Sequence, residues 1–130
     1  MDVIVDSSVW IDVLAGERIA AIINAMTNGT LVLTPIVIAE LLSGDLSASH
    51  RTLIGELLQD FVLHPSDLGH WMRVGELRRF LASRGVNVTI ADAHVAQCAL
   101  DRGAVLLSRD DIFARIAKHT SLRLQLESAS

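Results

Sequence analysis

Three short apolar runs, each breaking off at polar residues, constrain this chain more than any other feature. They are Val3–Val5 in VIVDSSVW, Leu31–Leu33 in LVLTPIV, and 104–107 in AVLLSRDDIF. The stretches between them carry helical spacing. Short apolar strands alternating with helices are the sequence form of an α/β domain around a mostly parallel sheet.

The helices can be placed by their stripes and stops. From Ser8, the residues Val9, Trp10, Val13 and Leu14 share one side, and Gly16 ends the run. A second helix covers about 19–26 and stops at Asn28 and Gly29. Thr34 and Pro35 offer an N-cap and a first-position proline for PIVIAELL. Further helices are expected over about 49–60 and over 66–84, where Val74, Leu77 and Leu81 form the buried stripe and Gly85 ends it. A helix rich in alanine runs over 89–102 to Gly103, another over 112–118, and a last strand over 122–126. The expected architecture is three-layer α/β/α with a short, mostly parallel central sheet. It forms one domain over residues 1–126, with a frayed tail at 127–130.

Composition narrows the function classes. Of 130 residues, 51% are hydrophobic, and the mean hydropathy of +0.43 excludes disorder over most of the chain and leaves apolar surface for a partner. No apolar run approaches the ~20 residues of a membrane span, and the N-terminus lacks the basic region of a signal peptide, so a cytoplasmic protein without membrane contact is expected. The single cysteine, Cys98, has no second thiol for a disulfide or a thiolate zinc site, and packing in the alanine-rich helix is its expected role. The five histidines have no zinc-like spacing. His94 lies two residues from Asp92 and points about 200° around the helix from it, which argues against catalysis. No glycine-rich phosphate loop follows any strand. A net charge of −4 weakens a nucleic-acid reading, yet acids gathered around a cation would change the field that a phosphate meets.

Four acids stand where such a gathering is possible. Asp6 and Asp110 follow the apolar runs at 3–5 and 104–107, and in an open α/β sheet ligands bind at the carboxyl ends of the strands. The two share an edge provided their strands are neighbours. Glu40 interrupts the apolar PIVIAELL, on the same side as Ser43 and Gly44. Asp92 stands in the first turn of the alanine-rich helix. Each has an ordinary alternative: Asp6 as a helix cap, Asp92 in a capping box with Thr89, Glu40 on a solvent stripe, Asp110 with Asp111 at a helix start. A single cause accounts for all four together, because Mg²⁺ and Mn²⁺ take carboxylate oxygens and make their convergence tolerable.

The order VIVDSSVW, AELLSG, TIADAHVA, LLSRDDIF, spread over about residues 2 to 125, resembles the PIN domain family, and in its compact length the VapC ribonuclease toxins of VapBC toxin–antitoxin modules. The resemblance implies a PIN-like fold with Asp6, Glu40, Asp92 and Asp110 as catalytic acids and ligands of Mg²⁺ or Mn²⁺. Ser7, Ser8 and Ser108 fall where small polar residues support the metal shell, and Phe113 matches the following aromatic. Ile112 departs from the polar or acidic residue that many relatives carry. The implied activity is metal-dependent endoribonuclease cleavage of tRNA, rRNA or mRNA, by a homodimer held in check by a VapB-type antitoxin whose C-terminal arginine covers the acids. The alternative is a PIN-fold binding module without catalysis. Trp10 either lines the antitoxin groove or packs beneath the sheet. Arg109 is a candidate phosphate contact, with a structural ion pair as the competing role. Arg73, Arg78, Arg79 and Arg84 spread around their helix and read as a solvated face.

Overall fold

A computed structural model of the chain describes residues 1–126; the expected tail at 127–130 lies outside the described residues. The elements run β1 (Val3–Val5), α1 (Ser7–Leu14), α2 (Ala20–Asn28), β2 (Leu31–Leu33), α3 (Pro35–Leu42), α4 (Ala48–Asp60), β3 (Val62–Leu63), α5 (Leu68–Ser83), α6 (Ile90–Arg102), β4 (Val105–Ser108), α7 (Asp111–Ala117) and β5 (Arg123–Leu126). The sheet order is β3-β2-β1-β4-β5, and every pairing in it is parallel. The chain steps outward from β1 to β2 and β3, then returns past β1 to β4 and β5. Right-handed crossovers in the two directions place helices on both faces, giving the expected three layers.

β1 and β4 are neighbours, in the register Val3↔Val105 and Val5↔Leu107. The direction of winding reverses between them, so the crevice beyond their carboxyl ends is the sheet's switch point, where ligands bind in folds of this type. The apolar runs are short because they lie inside: Ile4 and Leu106 are 0% exposed, and Leu31, Val32 and Leu33 are all buried. Leu81, Val95, Phe113 and Ile116 pack from the helices against the same core. Trp10 belongs to that core at 4% exposure, which settles its alternatives in favour of packing.

Local punctuation follows backbone chemistry. Gly103 takes φ 61° at the end of α6, in the left-handed region that only glycine enters at little cost, and Ala104 N–H closes the turn on Ala99 O at 2.9 Å. Two expectations need correction. β3 is an additional strand of two residues whose Val62 and Leu63 are 52% and 45% exposed, so no burial pattern announces it. Thr34 occupies the N-cap of α3 but makes no side-chain cap bond; its Oγ1 is buried without a protein partner, at the carboxyl end of the strand adjoining β1.

Candidate functional site

Asp6 leaves β1 with its N–H bonded to Leu107 O at 2.9 Å, which fixes its backbone against β4. It occupies the N-cap of α1 without making a side-chain cap bond. Its Oδ2 instead accepts from Ser8 Oγ at 2.9 Å and Ser108 Oγ at 3.0 Å; Oδ1 receives no protein donor among the described residues. The capping alternative therefore fails for Asp6. A carboxylate 5% exposed is held in one orientation by two hydroxyls, one from each side of the switch point.

Ser108 also receives Asp110 N–H at 3.0 Å, so one hydroxyl ties Asp6 to the turn that carries Asp110. Asp110 does cap: its Oδ1 accepts Ile112 N–H at 3.1 Å. Asp92 does the local work expected of it as well, donating its N–H to Thr89 Oγ1 at 3.1 Å. Neither role isolates Asp92 from the other acids. Burial, then the charges of Asp6 and Asp110, push the Asp92 carboxyl above the usual range, against a hydrogen bond from Thr89 that pulls it down. Burial, then Asp6 and Asp92, raise Glu40 likewise. Carboxylates that perturb one another in this way share a common space.

The acids are not closely packed. Among the described residues, the metal-capable side chains whose ligand atoms come within 4.8 Å of one another are His64, His70 and Cys98, and the four carboxylates form no such group. A Mg²⁺ ion that keeps several waters needs only one or two direct carboxylates and the rest through water, so an all-oxygen set at this spacing fits a hard, hydrated cation.

Beside the acids runs a cleft of about 480 Å³ lined by Ser7, Ile11, Leu14, Glu40, Leu41 and Leu46, among others. Ser7 thus faces the cleft, and among the described residues it makes no hydrogen bond to an acid; Ser8 and Ser108 make those. Arg109 is drawn elsewhere. Its Nε lies 2.7 Å from Asp12 and its Nη2 2.9 Å from Glu17, while its backbone N–H reaches Ser8 Oγ at 3.3 Å. The ion-pair role is therefore present in the structure. Of the α5 arginines, Arg73 binds Asp101 at 2.9 Å and Arg78 Nε donates to Val88 O, so they are partly structural.

Spacing in the sequence conceals one gathering. His64, His70, His94 and Cys98 meet in the interior; Cys98 packs in the core as expected, and three of the histidines without zinc-like spacing surround it. The signal present in the chain is the i, i+4 pair of His94 and Cys98 on one face of α6.

Similarity to solved structures extends over nearly the whole chain. A VapBC2 complex from Rickettsia felis bound to a DNA fragment from its promoter matches with a TM-score of 0.78 at 17% identity, covering 98% of this chain and 100% of that one. A DNA-bound VapBC from Salmonella typhimurium matches at 0.78 and 20%, covering 97% and 98%. VapBC-5 from Mycobacterium tuberculosis matches at 0.65 and 22%, covering 97% and 98%. At these identities the likeness is one of fold. No curated protein matches in sequence. The family model described as the PIN domain matches residues 3–119, from the first residue of β1 to just beyond α7, and with a match of that extent the chain belongs to the PIN domain family.

Proposed function

We propose that this protein is a metal-dependent endoribonuclease, the VapC-type toxin of a toxin–antitoxin pair, acting in the cytoplasm as a homodimer with one PIN domain over residues 1–126. The observation that carries the reading is that Glu40 and Asp92 are both raised by burial and then by acidic neighbours, Asp6 and Asp92 for Glu40, Asp6 and Asp110 for Asp92. Acids raised in this way by burial and by acidic neighbours are unfavourable unless a cation offsets them.

Asp6, Asp92 and Asp110, with Glu40, would hold Mg²⁺ or Mn²⁺. When bound, such an ion supplies Lewis-acid polarisation of a phosphodiester oxygen and lowers the pKa of the attacking water. Ser8 and Ser108 fix the Asp6 carboxylate, so its geometry is set before substrate arrives. Glu40, raised and exposed at the mouth of the pocket, takes the proton from water at its carboxylate as the water oxygen bonds to phosphorus. The P–O bond to the 3′ oxygen breaks and that oxygen takes a proton from solvent, leaving 5′-phosphate and 3′-hydroxyl ends. RNA fits the reading because single strands present an accessible phosphodiester. The apolar cleft lined by Ile11, Leu14 and Leu41 suits a VapB-type segment ending in an arginine, whose guanidinium pairs with carboxylates bidentately. The VapBC assemblies with the same fold support that partner.

The test is incubation of the purified protein, freed of partner, with tRNA, rRNA and mRNA in Mg²⁺ or Mn²⁺. Cleavage with 5′-phosphate ends is expected, lost with EDTA and with Asp6→Asn. Cleavage that survives either would overturn the reading, and a folded protein that cuts no RNA would favour the binding module.

A further inference from the structure

Three of the chain's five histidines and its only cysteine come together away from the four acids. His64 follows β3, His70 stands in the first turns of α5, and His94 and Cys98 share a face of α6. They are 6%, 0%, 0% and 0% exposed respectively. Burying so many polar groups is unfavourable unless each is partnered, and apolar residues of the same volume would do as well or better for stability alone.

The distances have the scale of a coordination sphere. Cys98 Sγ lies 3.9 Å from His70 Nε2 and 3.6 Å from His94 Nε2. A nitrogen and a sulfur on one tetrahedral Zn²⁺ stand roughly 3.6 Å apart, from bond lengths of about 2.05 and 2.3 Å. His64, His70 and Cys98 each offer a ligand atom within 4.8 Å of the others. The outer contacts are those of a metal-binding imidazole. Asp101 Oδ2 lies 3.2 Å from His70 Nδ1, turning Nε2 inward, and Asp101 is itself held by Arg73 at 2.9 Å and Gln97 at 2.8 Å. Arg102 approaches His64 Nδ1 at 3.5 Å, and His64 Nε2 lies 3.9 Å from Asp101 Oδ2. Trp71 stacks on His94 at 4.7 Å and 17°.

We propose that His64, His70 and Cys98 form a structural site for Zn²⁺, with His94 as the fourth donor. Nitrogen and sulfur ligands select this class of ion over Mg²⁺, so the two sites sort their cations by chemistry. His94 stands outside the three-residue group, with Nδ1 2.8 Å from His70 Nε2 and Nε2 3.6 Å from Cys98 Sγ; to serve as the fourth donor its ring must turn so that a single nitrogen faces the ion, roughly 3.3 Å from the other ligand nitrogens. Without the ion the same atoms satisfy one another in a single direction: Cys98 S–H to His94 Nε2, His94 Nδ1–H to His70 Nε2, His70 Nδ1–H to Asp101. Binding replaces the thiol proton, so one proton leaves for each ion that enters. The site would clamp the segment after β3 and the start of α5 onto α6, roughly 9 Å along the helix from Asp92 at 1.5 Å per residue.

Co²⁺ is the probe, because a thiolate ligand adds a near-ultraviolet charge-transfer band and tetrahedral geometry gives strong visible bands. The full-length chain, stripped by chelator and returned to excess Mg²⁺ to occupy the carboxylates, is titrated with Co²⁺. One ion per chain with both signatures, bleached by Zn²⁺, is expected, together with release of one proton. Cys98→Ser should abolish the charge-transfer band, His70→Gln should weaken binding at least tenfold, and Asp6→Asn should leave it intact, which separates this site from the proposed nuclease centre. Co²⁺ bound without the charge-transfer band, or a band that survives Cys98→Ser, would overturn the proposal. If the variants do not fold, the wild-type spectrum decides alone: no thiolate band means no site.

Discussion

Replacing Ser108 by alanine removes the hydroxyl that joins two of the acids, and its effect can be worked out beforehand. Ser108 is 0% exposed. Its Oγ donates to Asp6 Oδ2 and accepts Asp110 N–H, both at 3.0 Å. A hydrogen bond to a charged group contributes about 1.5–3 kcal/mol and an ordinary one about 0.5–1.5 kcal/mol. Ser108→Ala should therefore lower the unfolding free energy by about 2–4 kcal/mol, a large share of the 5–15 kcal/mol typical of a domain. Ser8→Ala is the control. It deletes a bond of nearly equal length to the same oxygen and a longer one from Arg109 N–H at 3.3 Å, but at a half-buried hydroxyl that water can replace, so about 1.5 kcal/mol or less is expected. Urea unfolding in EDTA at neutral pH measures both. A Mg²⁺ titration of the unfolding midpoint should then show at least a tenfold weaker affinity for Ser108→Ala, because the carboxylate it orients is released. Ser108→Ala within about 0.5 kcal/mol of wild type, or Ser8→Ala equal to it, would refute the claim that the buried hydroxyl positions Asp6.

Three further outcomes are expected. Glu40 and Asp92 are raised by burial and by their acidic neighbours, so the folded protein holds protons that the unfolded chain releases; metal-free stability should fall as pH rises above the ordinary carboxylate range, and thermal melts should show Asp92→Asn more stable than wild type at neutral pH in EDTA yet gaining less from Mg²⁺. Burial, then His70 and His64, lower His94 to about 4, so metal-free stability is complete above pH 6.5 and is lost as pH falls toward 4, by about 2 kcal/mol at pH 5; equal urea midpoints at pH 7 and pH 5 would contradict this. Gly103→Ala meets nothing within 4 Å but must hold φ 61°, so calorimetry should record a loss of about 1–2 kcal/mol from backbone strain alone.

What the sequence disclosed, and what it hid, divides along the range of the signal. Val3–Val5 and the run at 104–107 announce strands because each is apolar and bounded, and a strand end fixes where the next side chain goes; Asp6 and Asp110 were legible for that reason. Val62 and Leu63 were not, since an exposed edge strand of two residues carries no pattern. Asp6 and Asp110 look alike as N-caps in the sequence, and only three-dimensional contacts separate them: Ile112 N–H claims Asp110, whereas serines from two elements claim Asp6. Arg109 was ambiguous because its partners, Asp12 and Glu17, are remote in the chain and lie in and just beyond α1. The histidine and cysteine gathering escaped for the same physical reason. Ligand-spacing rules see one segment at a time, and His64, His70 and Cys98 come from a loop and two different helices.

The pairing of β1 with β4 also sets an order of events during synthesis. Ser108 and Asp6 are 102 residues apart, and Val3 finds Val105 only after most of the chain exists. Contacts so distant in sequence form late and slow the folding of the domains that depend on them. A growing chain can present β1 beside β2 while the other wall of the crevice is still unmade, so Asp6 has Ser8 but not Ser108 until the last fifth of the protein arrives. A chain that stops before residue 105 has only one wall of the crevice, so the site at the β1/β4 junction is completed late or not at all.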